Sequence, residues 1–274
     1  MNRRSLINEI RQKGSYLCIG LDTDIEKIPR YLRQNKNAIF NFNKAIIDAT
    51  KDHCVSYKLN TAFYEALGSK GWDAMEETIN YIPASHLKIA DAKRGDIGNT
   101  SSQYAKAFFE TLKFDAITVA PYMGEDSIRP FLEYEDKWTI VLGLTSNKGA
   151  KDFEMLRLLS ENEEHLRPEF LYEHVLKRVS KWGAPDNCMF VTGATQATEF
   201  ENIRSIIPDH FLLVPGVGFQ GGSLAEVSEH GMNKDCGLLV NVSRAVIYAG
   251  SGENFAEEAG VIAKQYQTEM KSYL

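Results

Sequence analysis

The sequence contains no Cys-x-x-Cys pair, no apolar run long enough to span a bilayer and no concentration of basic residues. Each absence removes a class of function. The four cysteines, Cys18, Cys54, Cys188 and Cys236, are widely spaced, which excludes the usual zinc and redox motifs and predicts reduced thiols in a cytoplasmic protein. Three of them lie in or beside apolar runs, where a thiol behaves as a small hydrophobe. The residues Met1-Asn2-Arg3-Arg4-Ser5 lead into a polar helix-like segment without the apolar stretch of a secretion signal. With 31 basic against 37 acidic residues the net charge is −6, and the basic residues are dispersed. Neither nucleic acid nor a membrane surface is an expected partner, and an anionic ligand would need a local cationic pocket.

What the sequence does contain is a regular alternation. Short aliphatic runs at 15–21, 54–59, 86–91, 115–119, 138–144, 188–192, 211–214 and 237–242 read as strands. Between them lie amphipathic stretches, among them 41–52, 72–82, 101–113, 170–182, 198–207 and 223–230, with a closing helix near 254–273. Repeated β-then-α units predict a parallel sheet covered by helices. Eight units in 274 residues fit an α/β, single-domain (β/α)8 TIM barrel over 1–274 better than an open sheet. The segment 148–168 interrupts the rhythm as an insertion after the fifth strand. Its acidic run Glu161-Asn162-Glu163-Glu164 reads as a solvated face, with a lid as the alternative.

In such a barrel, functional groups collect at the carboxyl ends of the strands. The third strand runs from His86-Leu87-Lys88-Ile89-Ala90 into Asp91-Ala92-Lys93-Arg94-Gly95-Asp96-Ile97-Gly98-Asn99-Thr100. Strand alternation puts Asp91 and Lys93 on one face, a carboxylate beside an ammonium, and Gly95 frees Asp96 from the strand direction. Strand two carries Lys58, expected beside Asp91, and strand one ends at Asp22. Buried charges require partners, so an array of Lys58, Asp91, Lys93 and Asp96 points to function rather than to a solvated strand end.

The second signal is Val214-Pro215-Gly216-Val217-Gly218-Phe219-Gln220-Gly221-Gly222. It fits a dinucleotide fingerprint, but that reading needs an acidic residue at the end of the next strand, and the next strand ends in Arg244. The loops after strands seven and eight of a barrel commonly hold phosphate instead. Gly218, Gly221 and Gln220 on the first loop and Arg244 on the second are the expected ligands, with Arg244 gripping two oxygens and Gln220 adding a neutral donor.

These segments resemble the orotidine 5′-monophosphate decarboxylase family, whose Asp-x-Lys-x-x-Asp followed by Thr is matched by Asp91, Lys93, Asp96 and Thr100. The likeness extends to Lys58, to Pro215–Gly222, to Arg244, to Val119–Gly124 and to Thr145-Ser146-Asn147-Lys148-Gly149-Ala150. It covers residues 15 to 250 or so and points to the longer bacterial branch. Many members of that branch have Asn where this chain has Ala120, so no role is given to that position. The resemblance implies that Ser146 hydrogen-bonds the pyrimidine edge and that Asp22 and Lys58 lie near the ribose hydroxyls. It also implies a homodimer, with Asp96 and Thr100 entering the partner's site.

The implied reaction is decarboxylation of orotidine 5′-monophosphate to uridine 5′-monophosphate, the last step of de novo pyrimidine nucleotide synthesis, with no metal or other cofactor. Loss of CO2 from C6 leaves an electron pair in the ring plane that no carbonyl can delocalise, so fixed charges must stabilise it. Lys93 is the group expected at C6, stabilising the carbanion and then delivering a proton. Asp91 would face the departing carboxylate and orient both lysines. Two alternatives stand beside this reading. One is a metal-dependent keto-sugar-phosphate decarboxylase or hexulose-phosphate synthase on the same barrel, whose members usually carry Asp-x-Lys-Thr in the third strand. The other is a noncatalytic pyrimidine-nucleotide-binding protein.

Overall fold

The computed structural model describes residues 1–158, 168–218 and 221–274. Eight parallel strands close into a barrel: β1 (Leu17–Gly20), β2 (Ser56–Asn60), β3 (Leu87–Arg94), β4 (Ala116–Val119), β5 (Trp138–Leu144), β6 (Cys188–Thr192), β7 (Phe211–Pro215) and β8 (Leu238–Val242). Each strand pairs with the next, and β8 closes onto β1 through Leu17↔Val240 and Ile19↔Val242. The expected strands are all present, and the chain is a single α/β barrel domain. Only β3 departs clearly, running on to Arg94 beyond its expected end.

The strands form because they are covered on both faces, by the packed lumen inside and by helices outside. β1, β4, β6 and β8 are buried along their whole length. Runs such as Leu238-Leu239-Val240 therefore need no polar alternation. The helices bury one stripe each. Ala38–Thr50 buries Phe42, Ile46 and Ile47, and Phe42 stacks at 5.0 Å on Phe255 of the closing helix Phe255–Lys271. All four cysteines are free and buried. Among the described residues, no helix is long and apolar enough to cross a membrane.

One helix, Glu125–Leu132, is not among the stretches named above, and Pro130 lies within it. Proline removes a backbone donor and normally ends a helix. Here Ile128, Phe131 and Leu132 are buried against the barrel, and the acidic Glu125 and Asp126 sit favourably in the first turn. Between β5 and the helix Leu171–Val179 lie a short helix, Ala150–Phe153, and an antiparallel pair, Arg157–Leu158 against Glu169–Phe170. The acidic run 161–164 and the lid reading lie outside the described residues.

Two buried histidines sit at the amino-terminal end of the barrel strands, away from the carboxyl ends. Lys13 Nζ donates to the carbonyls of Lys51 (3.0 Å) and Cys54 (2.9 Å) and lies 2.9 Å from His86 Nε2. The same Nε2 lies 2.8 Å from the Lys51 carbonyl, to which its protonated form donates, and Nδ1 faces Ser85 Oγ at 3.2 Å. His210 packs edge-on against Phe190 at 5.4 Å. Burial, reinforced by Lys13 in one case and by Arg3 and Arg204 in the other, lowers both imidazoles to about 4. Depressed histidines stabilise the fold fully above their unfolded value near 6.5, and that contribution is lost as pH falls toward 4. The unfolding free energy from urea titration should therefore drop between about pH 7.5 and about pH 5, by on the order of 1–2 kcal/mol per histidine. A His86→Gln, His210→Gln variant should show a smaller drop.

Candidate active site

At the carboxyl ends of β1, β2 and β3 four charged side chains form a continuous chain. Lys58, only 3 % exposed, donates to Asp22 Oδ1 at 3.3 Å and to Asp91 Oδ2 at 3.0 Å. Asp91 Oδ1 in turn accepts from Lys93 Nζ at 2.5 Å and from Thr118 Oγ1 at 3.0 Å. The strand register accounts for the order, since β1 pairs Gly20 with Lys58 and β2 pairs Asn60 with Asp91. Burial alone would raise the Asp91 carboxyl, but the ammonium groups of Lys58 and Lys93 outweigh it and hold it well below the usual carboxylate range. Burial would likewise lower Lys58, and Asp22 and Asp91 together raise it instead. Both groups stay charged at neutral pH.

Lys93 reaches Asp91 by a route that strand alternation does not describe. Its φ is +46°, in the left-handed region, and the β3–β4 register slips between Ala90↔Ile117 and Arg94↔Val119. Left-handed backbone at a side chain of this size costs about 1–2 kcal/mol, so something must hold it. The Lys93 N–H donates to Thr118 Oγ1 at 2.9 Å, and Arg94 O accepts from the Ala120 N–H at 2.8 Å. Arg94 itself is clamped by an ion pair with Glu65 and lies over the rings of Tyr104 (5.3 Å) and Phe108 (5.5 Å). The bulge leaves Lys93 half exposed, with Asp91 at its tip.

The charged chain forms one wall of a cavity of about 280 Å³. Leu142, Val191 and Leu213 make an apolar floor, while Thr145, Ser146 and Asn147 after β5 and Ser243 and Arg244 after β8 complete the walls. Asp22 is fixed from behind: Tyr248 Oη donates to its carbonyl (3.2 Å) and accepts from the Asp24 N–H (2.8 Å).

The loop after β7 has positive φ at Gly216 (102°), Gly218 (78°) and Gly221 (89°), as a tight glycine turn requires. Three of its described amides do not face outward as expected. The Gly218, Gly221 and Gly222 N–H groups donate to the carbonyls of Gly222, Gly218 and Gly216, closing the loop on itself. Gly216 and Val217, rather than Gly218 and Gly221, line the cavity. Gln220 lies outside the described residues.

Asp96 and Thr100 are not brought to the cavity of the single chain. Asp96 Oδ1 accepts from the Ile97 N–H at 2.8 Å, and Thr100 is exposed in the helix Gly98–Lys106. The array within one chain is thus Asp22–Lys58–Asp91–Lys93, with Asp22 beside Lys58 at one end and Lys93 at the other. Among the described residues, no group of three or more His, Cys, Asp or Glu is placed to hold a metal ion.

The model of the orotidine 5′-phosphate decarboxylase / HUMPS family matches residues 15–259. The chain belongs to that family. It is 55% identical to the orotidine 5′-phosphate decarboxylase of Bacteroides fragilis strain YCH46, over all of this chain and 98% of that protein. The Flavobacterium johnsoniae protein of the same name is also 55% identical, with 98% and 97% of the two chains covered. Among solved structures, Leishmania donovani OMP decarboxylase superposes with a TM-score of 0.82 at 35% identity, covering 99% of each chain. Leishmania donovani UMP synthase also gives a TM-score of 0.82 at 37% identity, but this chain, 97% covered, spans only 57% of its length.

Thr118, Asn241 and Ser243 are lining residues that the sequence reading missed. Only the position of Thr118 beside β3 could have marked it, since a lone Thr in a strand is otherwise unremarked. Removing Lys58 should be severe: Lys58→Met leaves Asp22 and Asp91 without their shared cation, a loss of roughly 3–5 kcal/mol. Adding Asp91→Asn to that variant should recover part of the loss in urea unfolding.

Proposed function

We infer that this chain decarboxylates orotidine 5′-monophosphate to uridine 5′-monophosphate and CO2, the closing step of pyrimidine nucleotide synthesis. The observation that carries the reading is the Asp22–Lys58–Asp91–Lys93 chain, set in a cavity that also presents Ser146 and Arg244. A binding protein for an anionic nucleotide would gain nothing from an ionised carboxylate at the ring. A decarboxylase gains from it, because Asp91 opposes the substrate carboxylate and not the CO2 that leaves.

As the C6–carboxylate bond breaks, the electron pair stays on C6. The Lys93 ammonium stabilises it and donates Nζ–H to C6, and water restores the lysine proton. Asp91 aims Lys93, and Lys58 keeps the largely buried Asp91 ionised. Arg244, with Gln220 in the same role, holds the phosphate, and Asp22 and Lys58 meet the ribose. Ser146 reads the pyrimidine edge. A divalent cation fits this wall poorly, because Lys58 already lies between the two carboxylates that would ligate it. No metal-dependent step on a keto-sugar phosphate is therefore proposed.

The active unit is a homodimer in which Asp96 and Thr100 complete the partner's site. What supports this is the apolar surface around them, with Ile97, Tyr122 and Met123 all exposed. The reading extends to a cytoplasmic reaction, and the four free thiols support it.

Purified protein in excess EDTA should convert orotidine 5′-monophosphate to uridine 5′-monophosphate and CO2, followed by ultraviolet absorbance. Lys93→Ala should lose several powers of ten in rate and still bind uridine 5′-monophosphate. Undiminished activity in that variant would sink the mechanism, and turnover confined to a keto-sugar phosphate with Mg2+ would move the assignment. For the dimer, mixing inactive Lys93→Ala and Asp96→Ala proteins under subunit exchange should restore activity, since each mixed dimer then holds one intact site. Recovery absent despite mixed dimers would remove Asp96 from the partner's site.

A further inference from the structure

We propose that Glu154 is a positioning residue for recognition of the base: it fixes the Thr145–Asn147 loop from behind the cavity wall, which makes the short segment after β5 part of substrate selection. This rests on the reading that Ser146 meets the pyrimidine. Glu154 does not line the cavity, so it acts only through the loop.

The need for such a residue arises in the barrel. β5 leaves its ladder with β6 in a register shift between Leu142↔Val191 and Leu144↔Thr192, and the last bond there is Gly193 N–H to Leu144 O at 2.8 Å. The next backbone donor, Thr145 N–H, has no strand partner. It donates to Glu154 Oε2 at 2.7 Å, and the Thr145 hydroxyl donates to Glu154 Oε1 at 2.8 Å. Both oxygens of one carboxylate thereby grip one residue, a charge-assisted pair stronger than neutral contacts. The same hydroxyl has Asn147 Oδ1 at 2.6 Å as an alternative acceptor for its single proton.

Glu154 is itself anchored. It follows the helix Ala150–Phe153, whose Ala150 is buried, and its carbonyl accepts at 2.9 Å from the N–H of the fully buried Tyr172. From the opposite side the loop rests on Gly193, where an added Cβ would lie 2.6 Å from the N, Cα and Cβ of Ser146. Thr195 Oγ1 donates to Ser146 O at 3.3 Å and Gln196 Nε2 to Thr145 O at 3.4 Å. Ser146 is thus held between a carboxylate above and a bare glycine below, and a shift on either side displaces it.

The test compares two ligands that share ribose and phosphate but differ in the base. Wild type, Glu154→Ala, Glu154→Gln and Gly193→Ala are titrated with uridine 5′-monophosphate and with ribose 5-phosphate, and KM and kcat are measured for orotidine 5′-monophosphate. Glu154→Ala should weaken uridine 5′-monophosphate binding by about tenfold, the scale of one lost buried hydrogen bond. Ribose 5-phosphate binding should be unchanged, and KM should rise more than kcat falls. Glu154→Gln keeps an acceptor for the Thr145 N–H and should recover most of the loss. Gly193→Ala, pushing from the other side, should give the same selective defect even if Glu154→Ala does not fold. Equal losses on both ligands, or no loss on uridine 5′-monophosphate, would overturn the assignment. A wild-type protein that binds both ligands alike would instead overturn the reading of Ser146 on which it rests.

Discussion

The site depends on one buried ammonium. Lys58 lies between Asp22 and Asp91 with almost no access to water, so its charge is balanced by two carboxylates that it also keeps ionised. Removing either partner leaves an uncompensated charge in a poor dielectric, which is why such a triad is either complete or absent. Three consecutive strands supply it, so closure of β1, β2 and β3 in register is a condition for assembling the charged wall. Asp91 then carries a negative charge toward the cavity at neutral pH. Without Lys58, Asp91 would keep only Lys93 to oppose the effect of its burial, and its carboxyl would rise.

Much of this was legible in the sequence. Apolar runs of strand length, each covered on both faces, mark β1 to β8 because burial on two sides leaves no other pattern for a soluble chain. Lys58, Asp91 and Lys93 stood out because charges at the ends of such runs have no structural reason to be there. The left-handed Lys93 did not stand out. Its conformation is decided by Thr118 and by Arg94 held between Glu65, Tyr104 and Phe108, groups brought together only by the closed barrel. Nor could the glycines after β7 announce that their amides would bond to one another, since φ freedom alone does not say where an N–H will point. The helix Glu125–Leu132 forms in spite of Pro130 because the proline's local cost is offset by burial of Ile128 and Phe131, a tertiary effect. The roles of Asp96 and Thr100 were legible only through the family, because a second copy of the chain contributes nothing to the pattern of one sequence.

The two walls of the cavity follow a common rule. At β3 a bulge interrupts the barrel ladder and at β5 the ladder ends, and at each a backbone donor is left over. On one side the Lys93 N–H goes to the hydroxyl of Thr118, and on the other the Thr145 N–H goes to the carboxylate of Glu154. A continued ladder would have fixed both segments, but it would also have imposed strand alternation and turned Lys93 and Ser146 to whichever face the register dictated. Side-chain acceptors on neighbouring elements supply comparable restraint without that constraint. The barrel thus gives positional accuracy up to the ends of its strands. Beyond them, one hydroxyl and one carboxylate extend it to the groups that would meet the ring, so errors at Thr118 or Glu154 are passed to the chemistry although neither need touch the reacting atoms.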